Sequence, residues 1–152
     1  MRKRWMGNRD FLPVVRELAR CYQAFESYSS RHVRKLGLTP SQFDIIATLG
    51  NTEGMTFKQL GEMTLITKGT LTGVVDRLVA KGLVRRVASP QDGRCQIVQL
   101  TDRGNALFDR IFPASLTHLG KVFGSMPATE LRKAQGTLSR LTELFKEAGK
   151  TP

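Results

Sequence analysis

Thr67, Lys68, Gly69, Thr70 and Thr72 place three hydroxyls, an ammonium and a position with no side chain at the opening of an apolar-patterned helix. Those groups suit a polyanion. The hydroxyls can donate to phosphate or to base edges, a threonine methyl packs on thymine, and glycine lets backbone come close. The free N–H groups of a helix start also favour negative charge. The same threonines would equally serve as caps on an ordinary surface helix. Shortly after them, Lys81, Arg85, Arg86 and Arg94 bracket two β-branched or alternating runs with Asp92 as the single acid between. Arg85 and Arg86 supply general attraction at the base of this hairpin. Arg94 follows its turn, where an extended guanidinium suits the negative potential of a narrow minor groove. Asp92, two residues earlier, is placed to accept from Arg94 and hold it. The plainer alternative is a surface Asp–Arg pair contributing under ~1 kcal/mol.

No enzyme chemistry stands beside these groups. There is no glycine-rich phosphate loop, no nucleophile elbow and no carboxylate pair distinct from helix-surface charge. His32 and His118 are the only histidines, without cysteine or carboxylate at ligand spacing, so neither a metal nor another cofactor is expected.

The elements that must position the basic stretch are legible from periodicity and caps. Val15, Leu18, Tyr22 and Phe25 give a first helix from about Asp10 to Lys35 a seam that packs on another helix. Gly37 ends it. In Leu38-Thr39-Pro40-Ser41-Gln42-Phe43, Thr39 and Gln42 form a capping box, Pro40 takes the first helical position, and Leu38 can staple to Phe43. Phe43, Ile46 and Leu49 are the expected buried face, up to Gly50. The same grammar recurs in Met55-Thr56-Phe57-Lys58-Gln59-Leu60, predicting a short helix over 57–63. After the link at 64–66, Thr67 caps a helix whose inner face is Leu71, Val74 or Val75, and Leu78. Two short helices joined this way make a helix-turn-helix. Leu83 to Ser89 and Cys95 to Leu100 form a two-stranded wing, with Asp92-Gly93 as the reversal.

Thr101 then caps a helix with Leu107, Phe108, Ile111, Phe112, Leu119 and Phe123 available for burial. Pro113 should kink or divide it. Pro127 opens the last helix, where Leu131, Ala134, Leu138, Leu141, Phe145 and Ala148 follow a heptad seam. Long seams at both ends of the chain predict association of two copies. The fold class is therefore mainly α with a small two-stranded β-wing.

Composition agrees. The 152 residues fit one domain, and 24 Lys+Arg against 13 Asp+Glu give a formal charge of +11. Such a balance selects phosphate-bearing partners, nucleic acid before an anionic membrane. No apolar run approaches the ~20 residues of a membrane span. Arg2, Lys3, Arg4 and Arg9, with Trp5, read as a basic arm rather than a signal peptide. The two cysteines, far apart, imply a reducing compartment, hence the cytoplasm.

Several of these segments together resemble the MarR family of winged-helix transcriptional regulators: 38–43, the helix pair 57–81, Lys81-Gly82-Leu83-Val84-Arg85-Arg86, and Asp92-Gly93-Arg94 followed by Val98-Gln99-Leu100-Thr101. The ordered combination carries the likeness, which covers nearly the whole chain. It implies a single domain over 1–152: dimerisation helices at about 10–36 and 102–148 flank a winged helix-turn-helix lobe at about 39–101. It also implies a homodimer on pseudo-palindromic double-stranded operator DNA, with Thr67, Lys68, Gly69, Thr70 and Thr72 in the major groove and Arg94 in the minor groove. An effector-responsive repressor is the expected activity. Family members commonly respond to small aromatic or phenolic ligands bound between the dimerisation helices and the lobe. Some sense oxidants through a cysteine in the first helix, which makes Cys21 the redox candidate, although the surrounding pattern of that branch is absent. A lone helical cysteine is otherwise a small core residue, and Cys95 is filler in a wing strand. Gly73 stands where many members carry arginine, removing one candidate DNA contact. The alternative from another class is a nonspecific or architectural nucleic-acid-binding protein, for which the arm and the charge suffice.

Overall fold

The computed structural model describes residues 9–150. Its elements are α1 (Phe11–Lys35), α2 (Pro40–Leu49), β1 (Met55–Thr56), α3 (Phe57–Met63), α4 (Lys68–Ala80), β2 (Val84–Ala88), β3 (Gln96–Leu100), α5 (Asp102–Phe123) and α6 (Ala128–Ala148). Two compact units divide the chain, one ending at Pro113 and the other beginning at Ala114. The expected basic arm lies, apart from Arg9, outside the described residues.

The first unit starts with α1, whose seam finds no cover among the described residues: Val15, Tyr22 and Phe25 are all more than two-fifths exposed. α2 and α3 open as their caps predict. Thr39 Oγ1 accepts the Gln42 N–H while Gln42 Oε1 accepts the Thr39 N–H, and Thr56 and Gln59 repeat the exchange. The inner face of α2 differs from expectation. Gln42, Ile45, Ile46 and Leu49 are buried, whereas Phe43 is only partly so. A reading by apolarity alone passes over Gln42, because its burial depends on bonds to Thr39 and to Lys81, whose Nζ lies 3.5 Å from Gln42 Oε1.

Leu60 from α3, Leu71, Val74, Val75 and Leu78 from α4, and Val84 and Val98 from the wing close the core over α2. β2 and β3 pair antiparallel from Val84↔Leu100 to Ala88↔Gln96, the expected wing. A third strand joins it: β1 pairs with β3 at Met55↔Val98 and Thr56↔Ile97, giving the order β1-β3-β2. Two residues are too few to show a strand period, and Met55 reads locally as a staple to the helix that follows.

α5 runs unbroken through Pro113. Thr101 Oγ1 accepts the Gly104 N–H at 3.0 Å and donates to the Gly82 carbonyl at 2.7 Å, so this cap also ties the start of α5 to the end of α4. Phe108 and Ile111 are buried, with Phe108 and Phe112 stacked at 4.8 Å. Two glycines permit the approach of α5. A Cβ at Gly50 would lie 2.1 Å from Phe108 Cε2, and one at Gly104 would lie 2.0 Å from the Leu83 carbonyl oxygen.

The second unit holds the remainder of α5 and α6, with Pro127 at the N-cap position. None of the residues of α6 is buried, and its seam residues Leu138 and Phe145 are 53% and 62% exposed. Leu119 is half-buried and Phe123 largely exposed. No helix among the described residues is long and apolar enough to cross a membrane.

Candidate nucleic-acid interface

The helix-turn-helix is set by two short-range bonds and one long-range bond. Thr64 Oγ1 donates to the Leu60 carbonyl, and the Thr64 N–H returns to the same oxygen, which ends α3. Across the fold, Asp44 Oδ2 of α2 accepts the Leu65 N–H at 3.0 Å and so holds the turn against the preceding helix. Burial of Asp44 raises its pKa above the ordinary carboxylate value, and the Leu65 bond opposes part of that rise.

α4 separates its two tasks by face. Leu71, Val74, Val75 and Leu78 are buried, while Thr67, Lys68, Gly69, Thr70 and Thr72 are all exposed. No acid stands in the first turn, so its free N–H groups and Lys68 present positive potential. Thr67 occupies the N-cap position, yet its hydroxyl does not cap the helix as expected. It lies 3.0 Å from the Thr70 hydroxyl, and the two form a bonded pair on the outer face. A Cβ at Gly69 or Gly73 would meet nothing within 4 Å, leaving an unobstructed strip along the helix.

At the wing tip, Cys95 N–H bonds to the Asp92 carbonyl at 2.9 Å, so Gly93 and Arg94 are the central residues of the turn. Asp92 does hold Arg94, but through the backbone: Oδ1 accepts the Arg94 N–H at 3.0 Å. Among the described residues no carboxylate pairs with the Arg94 guanidinium, which stays exposed at the turn.

The base of the wing differs from the expected pair of open charges. Arg85 Nε donates to Gln99 Oε1 across the hairpin, and Gln99 Nε2 donates to the Glu53 carbonyl. Arg86 is ion-paired with Asp76 of α4 and lies over the Phe57 ring, 5.6 Å from its centroid. Its charge is thus partly balanced by a half-exposed carboxylate of the same chain. Neither Asp76 nor Asp44 stands out in the sequence, because each works through a partner far along the chain.

Cys21 and Cys95 are both exposed and unbridged, so neither is the core or filler residue expected. Among the described residues no group of three or more His, Cys, Asp or Glu side chains is placed to hold a metal ion.

The sequence pattern of the MarR family matches residues 36–94, from the α1–α2 link to the wing tip. A relative, the HTH-type transcriptional regulator MhqR of Bacillus subtilis (strain 168), is 30% identical over 124 residues, which cover 82% of this chain and 86% of MhqR. The chain belongs to the MarR family. Among solved MarR-like structures, BpsR of Bordetella bronchiseptica, whose DNA binding is regulated by 6-hydroxynicotinic acid, is 26% identical with a TM-score of 0.75. That match covers 85% of this chain and 92% of BpsR. AbsC, a MarR family transcriptional regulator from Streptomyces coelicolor, shares the fold at 20% identity with a TM-score of 0.82, covering 95% of this chain and 99% of AbsC. MarR membership makes the protein a DNA-binding transcriptional regulator, and its helices and wing form the MarR winged helix.

Proposed function

We propose that the protein is a cytoplasmic, effector-responsive repressor that binds a pseudo-palindromic operator as a homodimer. The observation that carries this reading is the outer face of α4, acid-free and unobstructed over Thr67, Lys68, Gly69, Thr70 and Thr72, on a helix anchored by a buried inner face. In this reading the first turns of α4 enter the major groove. Arg94 reaches the minor groove from a wing tip whose backbone Asp92 fixes, and Arg85 adds attraction at the wing base. Arg86 serves by positioning the wing against α4.

The uncovered seams of α1 and α6 support pairing with a second copy, because large apolar side chains at helical spacing are costly to leave in water. Two recognition helices must then stand about 34–36 Å apart to enter successive major grooves. A small aromatic or phenolic effector that prefers another separation would release the DNA.

Selection of bound fragments from genomic DNA, followed by competition against random DNA, tests the reading. A specific regulator prefers its own site by about 10³-fold or more at physiological salt. Equal binding to all fragments would replace it with the architectural alternative.

A further inference from the structure

Leu65, in the link between α3 and α4, is 77% exposed, more than any other large apolar side chain among the described residues. Apart from Met63 and Val79, the other exposed ones belong to α1, α5 or α6, where the proposed pairing of two copies would cover them. Leu65 stands on none of those seams. A single exposed leucine is ordinary on a protein surface. This one is set apart by how its backbone is held and by what stands beside it.

The Leu65 N–H donates to Asp44 Oδ2 of α2 at 3.0 Å, so a partly buried carboxylate fixes the chain beneath a side chain that enters no core. Thr64 and Thr67 are both extended, with ψ of 162° and 149°, and burial alternates along the link: Thr64 inside, Leu65 outside, Ile66 inside, Thr67 outside. Residues two apart on extended chain share a side. Leu65 therefore stands on the side of Thr67 and continues the outer face of α4 past the start of the helix. Two residues of extended chain span about 7 Å, the rise of about two base-pair steps.

That position selects the partner. The opening of α4 supplies hydroxyls and an ammonium on its outer face, which suit phosphate and polar base edges, but no large apolar group. The major-groove edge of DNA carries one apolar feature, the C5-methyl of thymine. A leucine on a fixed backbone meets it with little further ordering, and both apolar surfaces leave water.

We propose that Leu65 is a specificity-determining residue outside the recognition helix: it packs on the C5-methyl of one thymine in each half-site, and Asp44 positions it through the Leu65 N–H. The assignment rests on the reading of α4 as the major-groove helix and adds to it a residue of the preceding turn.

The test takes the duplex recovered by selection from genomic DNA and replaces its thymines one at a time by deoxyuridine, which removes only the methyl. Binding of the full-length protein is followed by fluorescence anisotropy. Burial of one methyl corresponds to about fourfold in affinity. At one thymine per half-site the uracil duplex should bind the parent about fourfold more weakly, whereas Leu65→Ala, already weakened, should not distinguish the two bases. Met63→Ala, which removes a side chain 63% exposed and outside the proposed contact, should keep the parent's response. Both positions are exposed, so the variants should fold, which their thermal melts check. Uracil tolerated by the parent at every position, or the same uracil penalty in the parent and in Leu65→Ala, overturns the methyl contact and leaves the operator reading intact. A protein that prefers no fragment overturns both.

Discussion

Arg86 of β2 and Asp76 of α4 form an ion pair, and the same guanidinium lies over the ring of Phe57 at the start of α3. One side chain therefore joins the wing to both helices of the helix-turn-helix. Its surroundings are half-open, so the pair itself contributes under about 1 kcal/mol and the ring contact about 0.5–1 kcal/mol. Arg86→Ala should cost about 1–2 kcal/mol in urea unfolding, Asp76→Ala less, and the double-mutant cycle should return a coupling of about 0.5 kcal/mol or more. Strict additivity would mean that the pair is not formed in solution.

Arg94→Ala should leave unfolding unchanged, because its guanidinium has no carboxylate partner among the described residues to lose. Specific operator affinity should fall by about 1–3 kcal/mol, the usual cost of a base-reading arginine. Asp92→Ala should have a smaller effect in the same direction, since Asp92 fixes only the backbone at that point. Undiminished binding by Arg94→Ala in a gel-shift titration removes the wing tip from the interface.

Gly73 sits inside α4 with open space where a Cβ would be. Gly73→Ala should stabilise the protein by about 0.5–1 kcal/mol, the difference between the two residues in a helix interior. Gly73→Arg should tighten DNA binding and steepen its dependence on log salt by about one if the new charge meets a phosphate. A gain in stability with no change in salt slope for the arginine variant would place this face away from the DNA backbone.

Asp44 carries a raised pKa because burial penalises its charge. The folded protein then binds a proton more readily than the unfolded chain, so this group lowers stability as pH rises from the unfolded value of 3.8 through the folded one. Asp44→Asn keeps an oxygen for the Leu65 N–H without the charge. It should match or exceed the parent in stability at pH 7, with any advantage shrinking as the pH falls toward 3.8. Urea titrations across that range decide it, and an advantage that grows on acidification contradicts the burial argument.

Phe145 is 62% exposed on the seam of α6. Phe145→Glu costs a lone chain almost nothing but places a charge in any paired seam. Sedimentation should show the parent at twice the chain mass and the variant shifted toward monomer, with helical content unchanged. A parent that sediments as a monomer ends the two-half-site reading.

The parts of this fold written in local bonds are legible in the amino-acid sequence. Both capping boxes, the bounds of α3 and the inner face of α4 follow from residues within four or five positions of one another. The outward placement of Thr67, Lys68, Gly69, Thr70 and Thr72 follows from the same period. What escapes a local reading depends on distant partners. Arg86 reads as open charge until Asp76, ten residues earlier, is brought against it, and Asp44 carries no signal of its hold on Leu65. The third strand is too short to have a period. Burial of Gln42 contradicts its polarity until Thr39 and Lys81 are seen around it. Residue type makes Thr67 a cap, but its hydroxyl is engaged by that of Thr70 instead.

Because no exposed residue in the opening turns of α4 supports the core, and no core residue of that helix faces outward there, target preference and foldability vary separately in this protein. On the proposed reading, mutations at Lys68, Thr70 or Thr72 retune which site is bound without first lowering stability. A lineage carrying this scaffold can thus acquire new regulatory targets by single steps, each of them neutral to the fold.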